Sequence, residues 1–109
     1  EIYLFGFSRG AFTARSLAGF IRSVGIPPRG NVASIPKALE RYRSRYASTH
    51  PDHERSFEFR LSYAPWVVTS PSEAAWRKEN GHPEGYPLKI AYVGVWDTVG
   101  ALGIPAFAY

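Results

Sequence analysis

The feature that most constrains the fold of this chain is an abrupt change of pattern within IYLFGFSRGAFTAR, residues 2–15. A nearly continuous apolar run over residues 1–7 is typical of a buried strand in a parallel sheet. From Arg9 to Val24 apolar residues recur at helical spacing, and Gly25 and a nearby pair of prolines end that pattern. The sequence therefore predicts a strand, a very short turn and a helix in immediate succession.

Ser8 stands in that turn, within a Gly-Phe-Ser-Arg-Gly stretch that matches G-x-S-x-G. The bare motif is weak, but a nucleophile elbow requires this position between a strand and a helix. Because the chain must reverse within a few residues, side chains beside the serine would collide, and we expect glycine to be needed at Gly6 and Gly10. The strained turn would present Ser8 Oγ as a nucleophile. The alternative is a glycine-rich turn in which Ser8 is only the N-cap of the helix.

The residue after the serine supplies a second element of the chemistry. The backbone N–H of Arg9 lies at the start of the expected helix, where amides and the helix dipole favour negative charge. We therefore expect the Arg9 N–H to donate to the oxyanion of a tetrahedral intermediate, which is usually the largest electrostatic contribution in acyl transfer.

A serine nucleophile needs a base, and the base needs a carboxylate to orient it. Asp97 ends a second apolar stretch, KIAYVGVW, which predicts a strand over residues 89–96. Active sites of α/β sheets lie at the carboxyl ends of strands, so Asp97 is the expected acid. The alternative is that Asp97 caps a helix or forms a turn before Gly100. All three histidines precede Asp97, and we expect the catalytic histidine to lie beyond Tyr109.

The sequence between these two strands predicts helices joined by loops. Ser34–Tyr46 is expected to be a helix, and the charged, aperiodic stretch His50–Arg60 a loop. Ser70 is expected to cap a third helix, with Glu73 completing a capping box, and Asn80 precedes the glycine that ends it. The order indicates an α/β fold: a fragment of a parallel sheet with flanking helices, from the nucleophile strand, elbow and helix to the acid strand.

Composition narrows the chemistry further. The chain has 109 residues and a formal net charge of +4. Because it contains no cysteine, disulfides, thiolate catalysis and cysteine-bound zinc are excluded within it. His50 and His53 are expected to lie in a surface loop and not at a metal site. Nucleic-acid binding would rest only on the net charge and the arginine-rich second helix, because no recognised motif or aromatic stacking platform supports it.

The chain begins with Glu1 and ends in GIPAFAY, and we expect residues 1–109 to be one partial catalytic domain whose flanking strands lie outside it. Five residues of the second helix leave two alternatives open. They are expected either to contact phospholipid headgroups or to form a solvated helix whose tyrosines pack inward, and the second is favoured. These residues are Arg41, Tyr42, Arg43, Arg45 and Tyr46.

At GFSRGAFTAR and VGVWDTVGALG the sequence resembles the α/β-hydrolase domain of the bacterial type VI secretion lipase effectors, first class, and their relatives. The matching motifs include Ser8, the helix arginine Arg15 and the strand end Gly94–Val99. The resemblance implies a serine esterase of the phospholipase type, with Ser8 as nucleophile and Asp97 as acid of a Ser-Asp-His triad. The mechanism that it implies requires no metal and no organic cofactor. The family's histidine and its N-terminal strand lie outside this segment, so the segment alone is expected to be inactive.

The resemblance also implies partners and location. The expected substrate is a phospholipid or other acyl ester, met at a membrane surface, and an immunity or adaptor protein is a candidate partner. The protein is expected in the bacterial cytoplasm or as a delivered, secreted effector. Two alternatives remain: an esterase or thioesterase acting on soluble substrates, and a non-catalytic hydrolase-like binding module.

Overall fold

The structure, a computed structural model, describes residues 1–96, so Asp97 lies outside the described residues. The chain divides into two compact units, with the boundaries at Gly19/Phe20 and Leu88/Lys89. The first unit contains Glu1–Gly19 and the chain from Lys89 onward, and the second contains Phe20–Leu88. The described chain is mixed α/β, with two small parallel sheets and flanking helices.

The first unit is built around two parallel strands, as the sequence predicts. Strand β1 (Ile2–Phe7) pairs with the last described strand, Ile90–Trp96, in a register that ends at Phe7 opposite Trp96. Helix α1 (Arg9–Val24) begins two residues after β1 and has the predicted bounds. Gly25 follows it with a φ of +79°, a left-handed conformation that favours glycine at a helix end.

The second unit holds short helices around a small sheet. Its elements, in chain order, are a 3₁₀ helix (Arg29–Ser34), α2 (Ile35–Arg43), a second 3₁₀ helix (Ala47–Thr49), α3 (Glu54–Tyr63), β2 (Val67–Val68), α4 (Pro71–Glu79) and β3 (Tyr86–Pro87). Strands β2 and β3 are parallel. The strand Ile90–Trp96, which pairs with β1, comes last in the chain order and is β4. The apolar core of this unit consists of Val24, Ala38, Tyr63 and Ala64. Burial raises the pKa of the Tyr63 hydroxyl.

Two predictions about the second unit are wrong. The helix expected to reach Tyr46 ends at Arg43, and Tyr46 is 78% exposed. The stretch expected to be a loop contains the first two turns of α3, which starts at Glu54. His53 caps this helix, because its Nδ1 accepts the Arg55 N–H at 3.1 Å. The buried residues of α3 include Ser56 and Arg60 beside Phe57 and Tyr63, so the apolar periodicity of this helix is weak.

The predicted capping box at the start of α4 is confirmed for the Ser70 cap but not for the return contact of Glu73. Ser70 Oγ accepts the Glu73 N–H at 3.2 Å, and Pro71 occupies the first helical position. The Glu73 carboxylate does not return to Ser70, as a capping box requires. It is fully buried, and its Oε1 accepts from Arg60 Nε and from the Thr69 N–H, both at 2.9 Å.

Glu73 therefore lies at the centre of a buried charged cluster that we call the arginine–glutamate cluster: Arg60, Glu73 and Arg77. Arg77 reaches Glu73 Oε2 at 3.3 Å, and burial lowers the pKa of Arg60 against the opposing pull of Glu73. The two guanidinium groups also donate hydrogen bonds to four backbone carbonyls, which stabilise the positive charge that the single Glu73 carboxylate does not balance. These carbonyls belong to Ser23, Pro51, Pro65 and Val67.

Among residues 1–96, no helix has the length and apolar character that a membrane span requires.

Candidate active site

The junction between β1 and α1 has an unusual backbone at Ser8. Its φ is +56°, and within residues 1–96 it is the one non-glycine residue with a positive φ. The Ser8 N–H donates to the Trp96 carbonyl at 2.8 Å, which extends the β1–β4 ladder by one bond. Its own carbonyl accepts from Ala11 N at 3.1 Å and from Phe12 N at 3.3 Å. The two elements therefore hold Ser8 from both sides in a conformation that costs energy.

The Ser8 side chain is not used to cap α1. An N-cap serine adopts an extended backbone, and its oxygen accepts an amide of the first turn. Ser8 has a left-handed backbone, and its Oγ makes no hydrogen bond to any residue that the structure describes. Within the described residues, Ser8 therefore begins α1 through its carbonyl and not through a side-chain cap, which leaves its hydroxyl without a structural hydrogen bond.

The two glycines of the motif have different environments. A Cβ on Gly6 would overlap the carbonyl group of Gly10 and would lie 2.7 Å from Ala11 Cα, so β1 and the first turn of α1 touch through backbone atoms. A Cβ on Gly10 would have no described atom within 4 Å. The steric expectation therefore holds for Gly6. For Gly10 the steric expectation is wrong, because the Gly10 carbonyl is the group that approaches Gly6, and no described atom lies where a Cβ on Gly10 would stand.

The first amides of α1 are unpaired with the rest of the described chain. The N–H groups of Arg9 and Gly10 donate to no atom of residues 1–96, as is usual for the first turn of a helix. Both residues are exposed. Amides in this position, with the positive end of the helix dipole behind them, can bind an anion.

The triad partners of the sequence prediction are not brought together with Ser8 in the described structure. Asp97 is outside it, although it is the next residue after Trp96, whose carbonyl accepts the Ser8 N–H. The unit that contains Ser8 has no histidine.

The three histidines all belong to the second unit, where each has local contacts. His50 Nδ1 accepts the Asp52 N–H at 3.1 Å, and His53 caps α3. The His82 ring lies 4.9 Å from the ring of Trp76. Within the described part of the chain, no group of three His, Cys, Asp or Glu side chains has a spacing suited to a metal ion.

The arginines and tyrosines around α2 divide into side chains that pack inward and side chains that are exposed, so neither the headgroup alternative nor the inward-packing alternative describes all of them. Arg41 donates to Ser48 O and Ser56 Oγ, both at 2.9 Å, and burial and the nearby Arg55 lower its pKa. Tyr42 packs edge-to-face on Phe20, with the ring centroids 5.5 Å apart. These two side chains face inward. The remaining members are Arg43, Arg45 and Tyr46, and all of them are exposed.

Comparison with known proteins gives two matches. The family model described as "T6SS, Phospholipase effector Tle1-like, catalytic domain" matches residues 1–109. A protein of Saccharomyces cerevisiae, "Uncharacterized protein YEL023C", is 34% identical over 104 residues. These residues are 95% of this chain but 13% of the yeast protein, so the chain spans a small part of that relative. No solved structure matches the chain.

Proposed function

The chain belongs to the family of type VI secretion phospholipase effectors with a Tle1-like catalytic domain, and from this premise we propose that it carries the nucleophile and the acid of a serine esterase. The proposed fold is that of an α/β-hydrolase, with β1, Ser8 and α1 as the nucleophile strand, elbow and helix. The observation that carries the proposal is Ser8 itself, which combines a φ of +56° with a hydroxyl that makes no hydrogen bond to a described residue.

The proposed reaction is two-step acyl transfer on the ester of a phospholipid. Ser8 Oγ attacks the ester carbonyl while the catalytic histidine, proposed to lie outside residues 1–109 of the full-length protein, takes its proton, and the alcohol then leaves with that proton. The Arg9 N–H and a second amide stabilise the oxyanion. Water, deprotonated by the same histidine, attacks the acyl-enzyme, and the fatty acid and free Ser8 result. The mechanism needs no metal or organic cofactor.

Asp97 is proposed to orient that histidine. Its support is its position in the sequence, directly after the residue that accepts the Ser8 N–H. Asp97→Asn should therefore slow hydrolysis without loss of the fold, because the residue would no longer stabilise the charged imidazole. The proposal rests on Ser8 and Asp97 and does not depend on the protein being a secreted effector with an immunity partner.

Covalent labelling of the full-length protein tests the proposal directly. A fluorophosphonate probe reacts with an activated serine, so wild type should be labelled and Ser8→Ala should not. Ser16→Ala, which removes another hydroxyl from α1, is the matched control and should keep the label. Well-folded wild type that fails to react would contradict the proposal and favour the non-catalytic binding module. Labelling with hydrolysis of short soluble esters but not of phospholipid would favour the esterase alternative.

A further inference from the structure

The positive charge of the chain is concentrated in one stretch, residues 29–46, which we call the basic segment. It contains five of the 13 lysines and arginines but one of the nine acids, Glu40, and so has a formal charge of +4. The remaining residues contain eight cations and eight anions and have no net charge. The basic segment comprises the first 3₁₀ helix, α2 and the three residues after it.

Four of these five cations point to solvent. Arg41 is turned inward, whereas the others are exposed and have no carboxylate within ion-pair distance among residues 1–96. These four are Arg29, Lys37, Arg43 and Arg45. Because Glu40 is the one acid of the segment and no described acid forms an ion pair with these four cations, the segment keeps a net positive charge toward solvent.

Apolar side chains are exposed among these cations. Val32 is 53% exposed, Ile35 39% and Tyr46 78%. A purely solvated helix would show a polar surface here. Exposed cations together with exposed aliphatic side chains and a tyrosine are the combination that binds the boundary between lipid headgroups and acyl chains.

We propose that the basic segment docks the protein on an anionic lipid bilayer. Lys37, Arg43 and Arg45 would contact the headgroup phosphates, and Val32 and Ile35 would reach the acyl boundary. The inference rests on the proposed function, because a phospholipid esterase must meet its substrate at a bilayer. To the proposed function, the docking inference adds the protein surface that contacts the bilayer and the preference of that surface for anionic lipid.

Vesicle binding by the full-length protein tests this inference. The protein carries Ser8→Ala so that no lipid is consumed, and the vesicles are phosphatidylcholine with or without phosphatidylglycerol. We expect binding to the anionic vesicles that weakens as salt rises. Lys37→Glu with Arg45→Glu should reduce the binding constant at least about tenfold, since each cation near the surface contributes substantially. An acid at residue 37 is also compatible with the first turn of α2.

Lys78→Glu with Lys89→Glu is the matched control, because both lysines are exposed and lie outside the basic segment. Equal loss of binding in the two double variants, or equal binding to both kinds of vesicle, would overturn the inference. So would an unchanged binding constant in a neutral variant, Lys37→Gln with Arg45→Gln, with retained helix content. Displacement of the vesicles by RNA at equal charge concentration would assign the segment to nucleic acid instead.

The two proposals fail in different measurements. If wild-type Ser8 reacts with the fluorophosphonate while anionic vesicles do not bind, the docking inference is wrong and the esterase proposal stands. If anionic vesicles bind through the basic segment while Ser8 does not react, the esterase proposal is wrong and a lipid-binding module remains.

Discussion

At the residue scale, Ser8 is the most informative position of the described chain. A left-handed backbone at a non-glycine residue costs about 1–3 kcal/mol, and it persists only where neighbouring elements enforce it. Here the ladder bond to Trp96 and the start of α1 at Arg9 enforce it. Strain of this kind is common where a side chain must be presented to a substrate, which is the role that we propose for the Ser8 hydroxyl.

The glycines beside Ser8 should respond differently to the same substitution. Gly6→Ala should lower the free energy of unfolding by more than about 2 kcal/mol, because its Cβ would overlap the Gly10 carbonyl and no flexible side chain can yield. Gly10→Ala should be neutral or slightly stabilising, since it meets open space at the start of a helix. Denaturant titration of the two variants measures both effects. Equal destabilisation would show that the motif requires glycine for another reason.

Asp52 should make a small, pH-dependent contribution to stability. It forms a 2.7 Å ion pair with Arg22, and the hydrogen bond from Arg22 holds the pKa of Asp52 below its ordinary value. Both side chains are substantially exposed, so Asp52→Asn should cost no more than about 1 kcal/mol at pH 7. A lowered carboxyl pKa stabilises the fold above the unfolded value, and this contribution is lost as pH falls through the folded pKa.

Chemical denaturation of wild type and Asp52→Asn across acidic pH measures this dependence. The difference between the two should be constant near neutrality and should disappear at strongly acid pH. Glu58→Gln, at an exposed position without a described ion pair, should show no such difference. A stability gap between wild type and Asp52→Asn that persists in acid would contradict the assignment.

At the element scale, the arginine–glutamate cluster joins α3 to α4. Glu73→Ala should lower the free energy of unfolding by about 3–5 kcal/mol, because it leaves Arg60 and Arg77 buried without their counter-ion. Glu79→Ala removes an exposed acid from the same helix and should change stability by less than about 0.5 kcal/mol. Thermal or denaturant unfolding followed by circular dichroism compares them.

A third variant separates charge from hydrogen bonding in this cluster. Glu73→Gln keeps an oxygen that can accept from Arg60 Nε and from the Thr69 N–H, so its cost should lie between those of the two alanine variants. If Glu73→Ala were as stable as Glu79→Ala, the cluster would not hold the two helices together.

The elements differ in how far the sequence predicts them. Strands β1 and β4 and helix α1 follow from apolar runs and helical spacing, and α4 follows from Ser70 and Pro71. Helix α3 was not predicted, because its buried face includes Arg60 and Ser56. Polar residues at those positions give no apolar period, and Phe57 and Tyr63, six residues apart, do not supply one.

At the scale of the whole molecule, one face of the β1–β4 sheet is open. Its aromatic side chains are each more than half exposed: Tyr3, Phe5, Phe7, Tyr92 and Trp96. Alternation along paired strands places them on one side, and Gly94 leaves room for the Phe5 ring. Parallel sheets are normally covered on both faces, so among the described residues this face departs from an ordinary α/β surface.

The 109-residue chain produced alone should therefore bind a hydrophobic dye at this face. Phe5→Thr with Phe7→Thr should reduce the dye fluorescence, while threonine keeps the preference for a strand. Trp66→Thr, which removes another exposed aromatic ring, should reduce it less because Trp66 belongs to the second unit. Equal fluorescence in all three proteins, with unchanged circular dichroism, would show that the dye binds elsewhere.

Residues close in the chain, or contiguous motifs, are enough to predict the strand–serine–helix order, the parallel partner strand, the serine cap of α4 and the family. The burial of Arg60, Glu73 and Arg77 follows only from the folded chain, since a charge is buried only where distant carbonyls and counter-ions meet it. The steric requirement for glycine at residue 6, and its absence at residue 10 among the described atoms, also follows from the fold, because the turn brings the Gly10 carbonyl against Gly6.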